Sequence, residues 1–203
     1  MTATYSMIDM YSRFTSAAFI KRKTCTEVLD KFMKHWVASY GCPGAILNDN
    51  GGEFTGEEIK EMKEALGSVD CTTAAEAPWQ NGICERNHAV VDNILSRIVA
   101  DFPNMQLETA IAWACSAKNS LQQVYGFSPY QLVFGRNPKL PNILNDGPPS
   151  WEEKAIGVRL AEHLNAIHRT RIEFTRSESE SRIKKALKAK VVATELDLRF
   201  SIL

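Results

Sequence analysis

Two carboxylates, Asp49 and Glu85, occupy positions from which they could share a metal ion, and 35 residues separate them. Asp49 follows the short apolar run 44–47, which indicates a buried strand ending in a turn. Glu85 falls in the first turns of a predicted helix. Two carboxylates that converge on one cleft can bind a divalent cation such as Mg²⁺ through oxygen ligands. Two such ions can activate an attacking hydroxyl and stabilise the leaving oxygen of a phosphate displacement.

Each carboxylate also has a purely structural explanation. The sequence 48–52, Asn-Asp-Asn-Gly-Gly, forms turns readily, so the residue types alone favour a turn role for Asp49. An acidic side chain in the first turn of a helix interacts favourably with the helix dipole, which would account for Glu85. The residue types and their spacing leave both interpretations open.

The elements that must position these carboxylates alternate between strands and helices. Residues 5–20 suit two strands joined by a turn. Thr24 and Glu27 form a capping box before an amphipathic helix that Gly41 ends. The later elements are a strand at 44–47, a helix capped by Thr55 and Glu58, a strand at 69–73, the helix of Glu85, a helix at 107–124, an irregular segment after Gly126, and a long helix that opens at a capping box of Ser150 and Glu153. This alternation predicts an α/β fold.

We expect two domains, residues 1–145 and a helical tail at 146–203, and the C-terminal part of the chain is the more basic. Residues 1–150 carry 13 basic and 16 acidic side chains, whereas residues 151–203 carry 11 and 8. Between residues 169 and 190 there are eight basic and three acidic side chains. This stretch could contact nucleic-acid phosphates, contain a nuclear-localisation patch around 182–185, or form a solvated helix face.

The composition argues against several classes of protein. The five cysteines include no C-x-x-C pair, which argues against a zinc site and a disulfide framework, and we expect reduced, mostly buried thiols. No apolar stretch of ~18 uncharged residues is present, as a membrane-spanning helix would require, and the N-terminus lacks the features of a signal peptide. We therefore expect a nuclear protein, or a cytoplasmic one before import, with no membrane partner.

Three motifs resemble those of retroviral and retrotransposon integrases. The second-aspartate motif of that family is similar to residues 48–54, NDNGGEF, and its glutamate motif is similar to residues 78–86, PWQNGICER. The 35-residue spacing matches the family's D,D-35-E pattern. A segment typical of gypsy-type elements resembles residues 128–138, SPYQLVFGRNP. The resemblance extends over roughly residues 5–145.

The resemblance implies a fold and an activity. The implied fold is a ribonuclease H-like mixed sheet flanked by helices, followed here by the long basic helical tail. The implied activity is DNA integration, in which a polynucleotidyl transferase with Mg²⁺ or Mn²⁺ trims retroelement DNA ends and joins them to target DNA. DNA and further copies of the chain would be the partners.

Six residues take roles from this resemblance. Asp49 and Glu85 would be the catalytic metal ligands. The implied nucleic-acid-binding residues are Asn81 and Gly82, in a mobile active-site loop, and Arg86 and His88, on the polar edge of the following helix. A solvated helix face is the alternative explanation for Arg86 and His88.

The first aspartate of the family has no counterpart. Residues 7–13, MIDMYSR, are similar to the end of the family's second strand and begin within ten residues of Met1, so we expect the first strand and its aspartate to be missing. Asp9 matches a non-catalytic position. Loss of one of three metal-binding carboxylates should largely abolish two-metal catalysis. The sequence therefore leaves two interpretations open, an integrase enzyme and a non-catalytic DNA-binding or assembly module that is a fragment or a domesticated copy. A protein-interaction domain, favoured by the neutral net charge, is a third interpretation.

Overall fold

A computed structural model of the chain describes residues 3–48, 51–54, 56–72, 78–139 and 157–200. The elements in chain order are β1 (Ala3–Ile8), β2 (Thr15–Ile20), α1 (Cys25–Phe32), a π-helical turn (Met33–Val37), α2 (Ala38–Tyr40), β3 (Ala45–Asn48), a 3-10 turn (Gly52–Phe54), α3 (Glu57–Ala65), β4 (Val69–Thr72), α4 (Pro78–Asp101), α5 (Leu107–Leu121), α6 (Pro129–Phe134) and α7 (Val158–Phe200). None of the described helices combines the length and apolarity needed to cross a membrane.

The predicted hairpin is confirmed. Strands β1 and β2 pair antiparallel, from Ala3 opposite Ile20 to Ile8 opposite Thr15. The carboxylate of Asp9 accepts hydrogen bonds from the backbone N–H of Ser12 at 2.7 Å and from its hydroxyl at 2.5 Å. Asp9 therefore stabilises the turn, a structural role that its side-chain chemistry favours.

The predicted helix after Thr24 is also confirmed. Thr24 is the N-cap of α1 and accepts a hydrogen bond from the Glu27 backbone N–H at 3.4 Å. The Glu27 carboxylate turns back to the preceding segment and accepts from the N–H groups of Lys21 and Arg22, each at 2.7 Å. The helical run continues through the π-helical turn and α2 to Gly41, whose φ of 86° ends it as predicted.

The second strand pair is parallel. Ala45 of β3 lies opposite Val69 of β4, and Asn48 lies opposite Thr72. Within the described ranges, β1–β2 and β3–β4 form two separate ladders. The prediction that β3 is buried is wrong, because its residues alternate between exposed and half-buried. Among the described strands only β4 flanks β3, so one of its edges lacks a described strand neighbour.

The main core lies where α5 packs against β2, α4 and α7. Its buried members are Ala17, Val91, Ile94, Leu95, Ile98, Ala110, Ile111, Ala114, Cys115, Ala117 and Phe174. They come from four elements that are far apart in the sequence. The first part of α7 thus packs into the same core as α4 and α5.

Helix α3 differs from the prediction at its N-terminus. Its N-cap is Gly56, which makes no side-chain capping bond, so the prediction of a capping box with Thr55 is wrong; Thr55 itself lies outside the described residues. The Glu58 carboxylate instead accepts from the Thr26 hydroxyl at 2.9 Å. A Cβ at position 56 would lie 2.3 Å from Cys25 Sγ. A side chain at position 56 would therefore displace the thiol of Cys25, the first residue of α1.

The prediction that the segment after Gly126 is irregular is wrong, because this segment contains α6. Ser128 and Gln131 form a complete capping box, Pro129 occupies the first turn, and Gly135 ends the helix with a φ of 67°. The predicted capping box of Ser150 and Glu153 lies outside the described residues. The prediction that the cysteines are mostly buried is wrong, because only Cys115 of the five is buried.

Candidate active site

Helix α4 carries most of the predicted site and begins earlier than predicted. Proline suits the first turn of a helix because its missing N–H needs no partner there, and α4 begins at Pro78. Asn81 and Gly82 therefore lie within α4, and the prediction that they belong to a loop is wrong. The carbonyl of Gly82 accepts a hydrogen bond from Arg86 Nε at 2.9 Å. Glu85 lies in the third turn of the helix.

Glu85 lies on an exposed face of α4. Ala89 and Asn93, four and eight residues further on, share this face and are also exposed. Asp49 lies outside the described residues, so only one of the two predicted metal ligands is placed by the structure. The described part of the chain contains no group of three His, Cys, Asp or Glu side chains that could hold a metal ion.

His88 and Arg86 have different surroundings. The Nδ1 atom of His88 lies 2.6 Å from the Ser6 hydroxyl, and its Nε2 atom lies 3.0 Å from Asp92 Oδ2. His88 therefore holds α4 against β1. Arg86 is exposed, and its guanidinium is partly fixed by the bond to Gly82.

A buried cation near the end of β3 escaped the sequence analysis. Lys63 of α3 is buried, and its ammonium lies 2.5 Å from Asp70 Oδ1 on β4. The amide of Asn48, the last residue of β3, donates to the same oxygen at 3.4 Å. Lys63 stands four residues after Ile59 on the apolar stripe of α3, and this spacing is the feature of the sequence that could have predicted its burial.

A second buried lysine joins α5 to the β1–β2 hairpin. Lys118 Nζ donates to the Arg13 carbonyl and to the Thr15 hydroxyl, each at 2.8 Å. Burial lowers the pKa of Lys118 to about 7. The Asn119 side chain bonds both the N–H and the carbonyl of Thr15, at 2.9 Å and 2.8 Å. Lys118 follows Ala114 by four residues on the buried stripe of α5, so the spacing in the sequence could also have predicted its burial.

Polar pairs join α4 to α7 in a regular order. The pairs are Asp101 with Arg169 at 2.6 Å, Arg97 with Glu173, and Asn93 with Ser177 at 3.3 Å. Each step moves four residues back along α4 and four residues forward along α7. The two helices therefore run antiparallel.

Comparison with known proteins gives the family context. No family model matches the chain. The chain is 26% identical over 149 residues to the Gag-Pro-Pol polyprotein of Human T-cell leukemia virus 2, a match that covers 71% of this chain and 10% of that protein. It is 22% identical over 141 residues to the retrovirus-related Pol polyprotein from transposon 412 of Drosophila melanogaster, covering 69% of this chain and 11% of that protein. The chain thus spans about a tenth of the length of these relatives.

A solved structure extends the likeness to the fold. The HTLV-2 integrase catalytic core domain in complex with magnesium, in its dimeric form, matches with a TM-score of 0.56 and 25% identity over 64% of this chain and 83% of that chain. These findings confirm the resemblance and the fold class predicted from the three motifs. The chain is therefore a relative of retroviral and retrotransposon Pol polyproteins and has the fold of the retroviral integrase catalytic core.

Proposed function

We propose that this chain is an integrase-type polynucleotidyl transferase core that trims retroelement DNA ends and joins their 3′-hydroxyls to phosphates of target DNA. The observation that carries the proposal is the placement of Glu85. It belongs to a nine-residue string that resembles the integrase glutamate motif, and its side chain is exposed on α4 and lies outside the packed core. A carboxylate in such a place is available to a substrate or a metal ion.

Asp49 and Glu85 would bind the divalent cation, Mg²⁺ or Mn²⁺. Carboxylate oxygens are the donors that these ions prefer, and the exposed Glu85 fits that requirement as one ligand. A bound cation would neutralise charge on the phosphate under attack. The solved HTLV-2 core, which contains magnesium, agrees with this proposal.

The N-terminal half of α4 would face the DNA. Arg86 lies next to Glu85, and its exposed guanidinium could contact a phosphate while Nε stays bonded to Gly82. Asn81 and Gly82 lie one turn before Glu85 on the same helix. His88 would support this surface by holding α4 against β1 through Ser6.

The experiment is a strand-transfer assay. Labelled donor ends are incubated with plasmid DNA, Mn²⁺ and the chain, and with Asp49→Asn and Glu85→Gln variants. Glu61→Gln is the matched control, because Glu61 is an exposed acid on α3. Because the family's first aspartate has no counterpart in the chain, we expect only weak joining by the unmodified chain and by Glu61→Gln, and no joined product above background from the other two variants.

Two other results would contradict the proposal. Equal product from all four proteins would remove Asp49 and Glu85 from the reaction. If the folded chain binds DNA but forms no product, a non-catalytic DNA-binding or assembly role replaces the catalytic one.

We further propose that the chain acts as a homo-oligomer on nuclear DNA, since the solved HTLV-2 core forms a dimer. Sedimentation velocity should then show a species larger than 22.7 kDa, the mass of one chain. A tagged copy should be found in the nucleus. A strictly monomeric protein would contradict the first statement, and exclusion from the nucleus would contradict the second.

A further inference from the structure

Strand β3, which leads directly to Asp49, is held on the side of β4. At its start, the Ser68 hydroxyl donates a hydrogen bond to the Pro43 carbonyl at 2.7 Å. Its other edge lacks a described strand neighbour. The position of its last residue, Asn48, therefore depends on its contacts with β4 and with the elements packed against β4.

A carboxylate of β4 joins the end of β3 to α3. The Asn48 amide donates to Asp70 Oδ1 at 3.4 Å, and the Lys63 ammonium donates to the same oxygen at 2.5 Å. Asp70 lies opposite Ile46 in the parallel pairing, so its side chain shares a face of the ladder with Asn48. One carboxylate oxygen thus connects a helix to the last residue of the strand.

Burial distinguishes Lys63 from the other lysine of α3. Its side chain is 5% exposed, whereas that of Lys60 is 58% exposed. A buried ammonium group needs a partner such as a carboxylate. The side chain of Asp70 is 47% exposed, so without the lysine its carboxylate would be free to turn toward water. The buried lysine therefore holds Asp70 in the orientation that reaches Asn48.

The chain is fixed again a short distance beyond β3. The Phe54 N–H donates to the Gly51 carbonyl at 2.8 Å, which closes the 3-10 turn. Only two residues, one of them Asp49, separate Asn48 from Gly51. A shift of Asn48 would therefore act on a very short segment that contains the proposed metal ligand.

We propose that Lys63 is a positioning residue for the proposed metal site, because through Asp70 it fixes the end of β3 from which Asp49 follows. The inference rests on the proposed function, since it names what holds one of the two metal ligands in place. Lys63 itself does not bind the metal. Loss of residues that orient metal ligands typically weakens metal affinity about 10- to 100-fold.

The first part of the test is the Mn²⁺ affinity of the full chain, followed by electron paramagnetic resonance. The variants are Lys63→Met and Lys63→Met/Asp70→Ala, and Lys60→Met is the matched control. Methionine suits the buried position because it is unbranched and apolar. We expect Lys63→Met to bind Mn²⁺ about tenfold more weakly, the double variant to match it, and the control to be unchanged. Loss of a positive charge by itself would strengthen cation binding, so weaker binding would report positioning.

The second part is the exchange of backbone amide hydrogens in the same proteins. In Lys63→Met, exchange in segment 44–54 should be about fivefold faster, the factor that corresponds to one lost hydrogen bond. Exchange in segment 110–117 of the core should not change. Lys60→Met should leave both segments unchanged.

The outcomes separate this inference from the proposed function. Unchanged or tighter Mn²⁺ binding by Lys63→Met would overturn the inference, while Mn²⁺ binding that depends on Asp49 would keep the proposed function. Faster exchange in both segments would assign Lys63 to overall stability and also overturn the inference. If exchange is faster only in segment 44–54 but the unmodified chain binds no Mn²⁺, the link from Lys63 to β3 stands and the proposed metal-dependent function is overturned.

Discussion

The buried junction around α5 and the exposed face formed by α4 and α7 contrast in how their polar groups are used. In the junction, Lys118 and Asn119 bond to the hairpin at Thr15, and apolar side chains surround them. On the exposed face, Glu85 of α4 and the lysines of α7 between residues 184 and 188 are exposed to solvent. The same residue type, lysine, is thus a structural donor in one region and an available cation in the other.

We infer from this contrast that stability and the proposed function depend on different surfaces of α4. Val91, Ile94 and Ile98 anchor α4 in the core, whereas Glu85 and Asn93 lie on its exposed side. Substitutions in the junction should therefore change the free energy of unfolding. Those on the exposed face should change binding or catalysis at nearly constant stability.

The largest effect is expected at Phe174, the aromatic side chain that fixes α7 in the core. Phe174→Ala should lower the free energy of unfolding by about 3 to 5 kcal/mol, because it removes buried apolar surface and leaves a cavity. Ile172→Ala, at a more exposed position of the same helix, should cost under about 1 kcal/mol. Urea unfolding measures both. Similar losses would show that α7 is not held by the core.

Asn119→Ala should have the next largest effect. It leaves the N–H and carbonyl of Thr15 without their side-chain partners in a buried place, which should cost about 1 to 3 kcal/mol. Ser116→Ala, at an exposed position one turn earlier, is the control. Urea unfolding of both variants gives the comparison. A loss no greater than that of the control would contradict the role assigned to Asn119.

Lys118 should make stability depend on pH. Its pKa is about 7 in the folded chain, and an unfolded lysine titrates near 10.4, so the unfolded state holds more protons above pH 7. Stability should therefore rise between pH 7 and 8.5, by on the order of 1 to 2 kcal/mol. Burial also raises the pKa of neighbouring Cys115, to about 12, which opposes the rise only where unfolded thiols ionise. Lys118→Met should remove this rise, and Lys60→Met, at an exposed position, should keep it. If the free energy of unfolding rises with pH by the same amount in both variants, the assignment is contradicted.

The smallest effect is expected at Glu85. Glu85→Gln should change the free energy of unfolding by no more than about 0.5 kcal/mol, because the side chain is exposed. Thermal unfolding of this variant beside Glu61→Gln measures the difference. A large loss of thermal stability would show that Glu85 contributes to the stability of the fold.

Local signals predicted much of the fold. The hairpin at 5–20, the helix between Thr24 and Gly41, and the strand beginning at Val69 follow from capping residues and apolar spacing. Pro78 at the start of α4 and the capping box of Ser128 and Gln131 are local signals of the same kind. The exposure of β3 could not be predicted, because it depends on which elements flank the strand.

The candidate site was predictable only in part. Motif resemblance pointed to Glu85, but the side of α4 that stays exposed depends on how α4 packs against α7, for example through the bond between Asn93 and Ser177, 84 residues apart. Lys63 and Lys118 stand on apolar stripes, yet their partners Asp70 and Thr15 come from other elements. A single sequence gives no account of such distant contacts.

The most direct test of the account is whether Glu85 binds a divalent cation. Mn²⁺ is titrated into the chain and into its Glu85→Gln, Asp49→Asn and Glu61→Gln variants, and free Mn²⁺ is followed by electron paramagnetic resonance. We predict that Glu85→Gln and Asp49→Asn bind Mn²⁺ at least about tenfold more weakly, with unchanged thermal unfolding, while Glu61→Gln binds like the unmodified chain. Equal Mn²⁺ affinity in all four proteins would contradict the account.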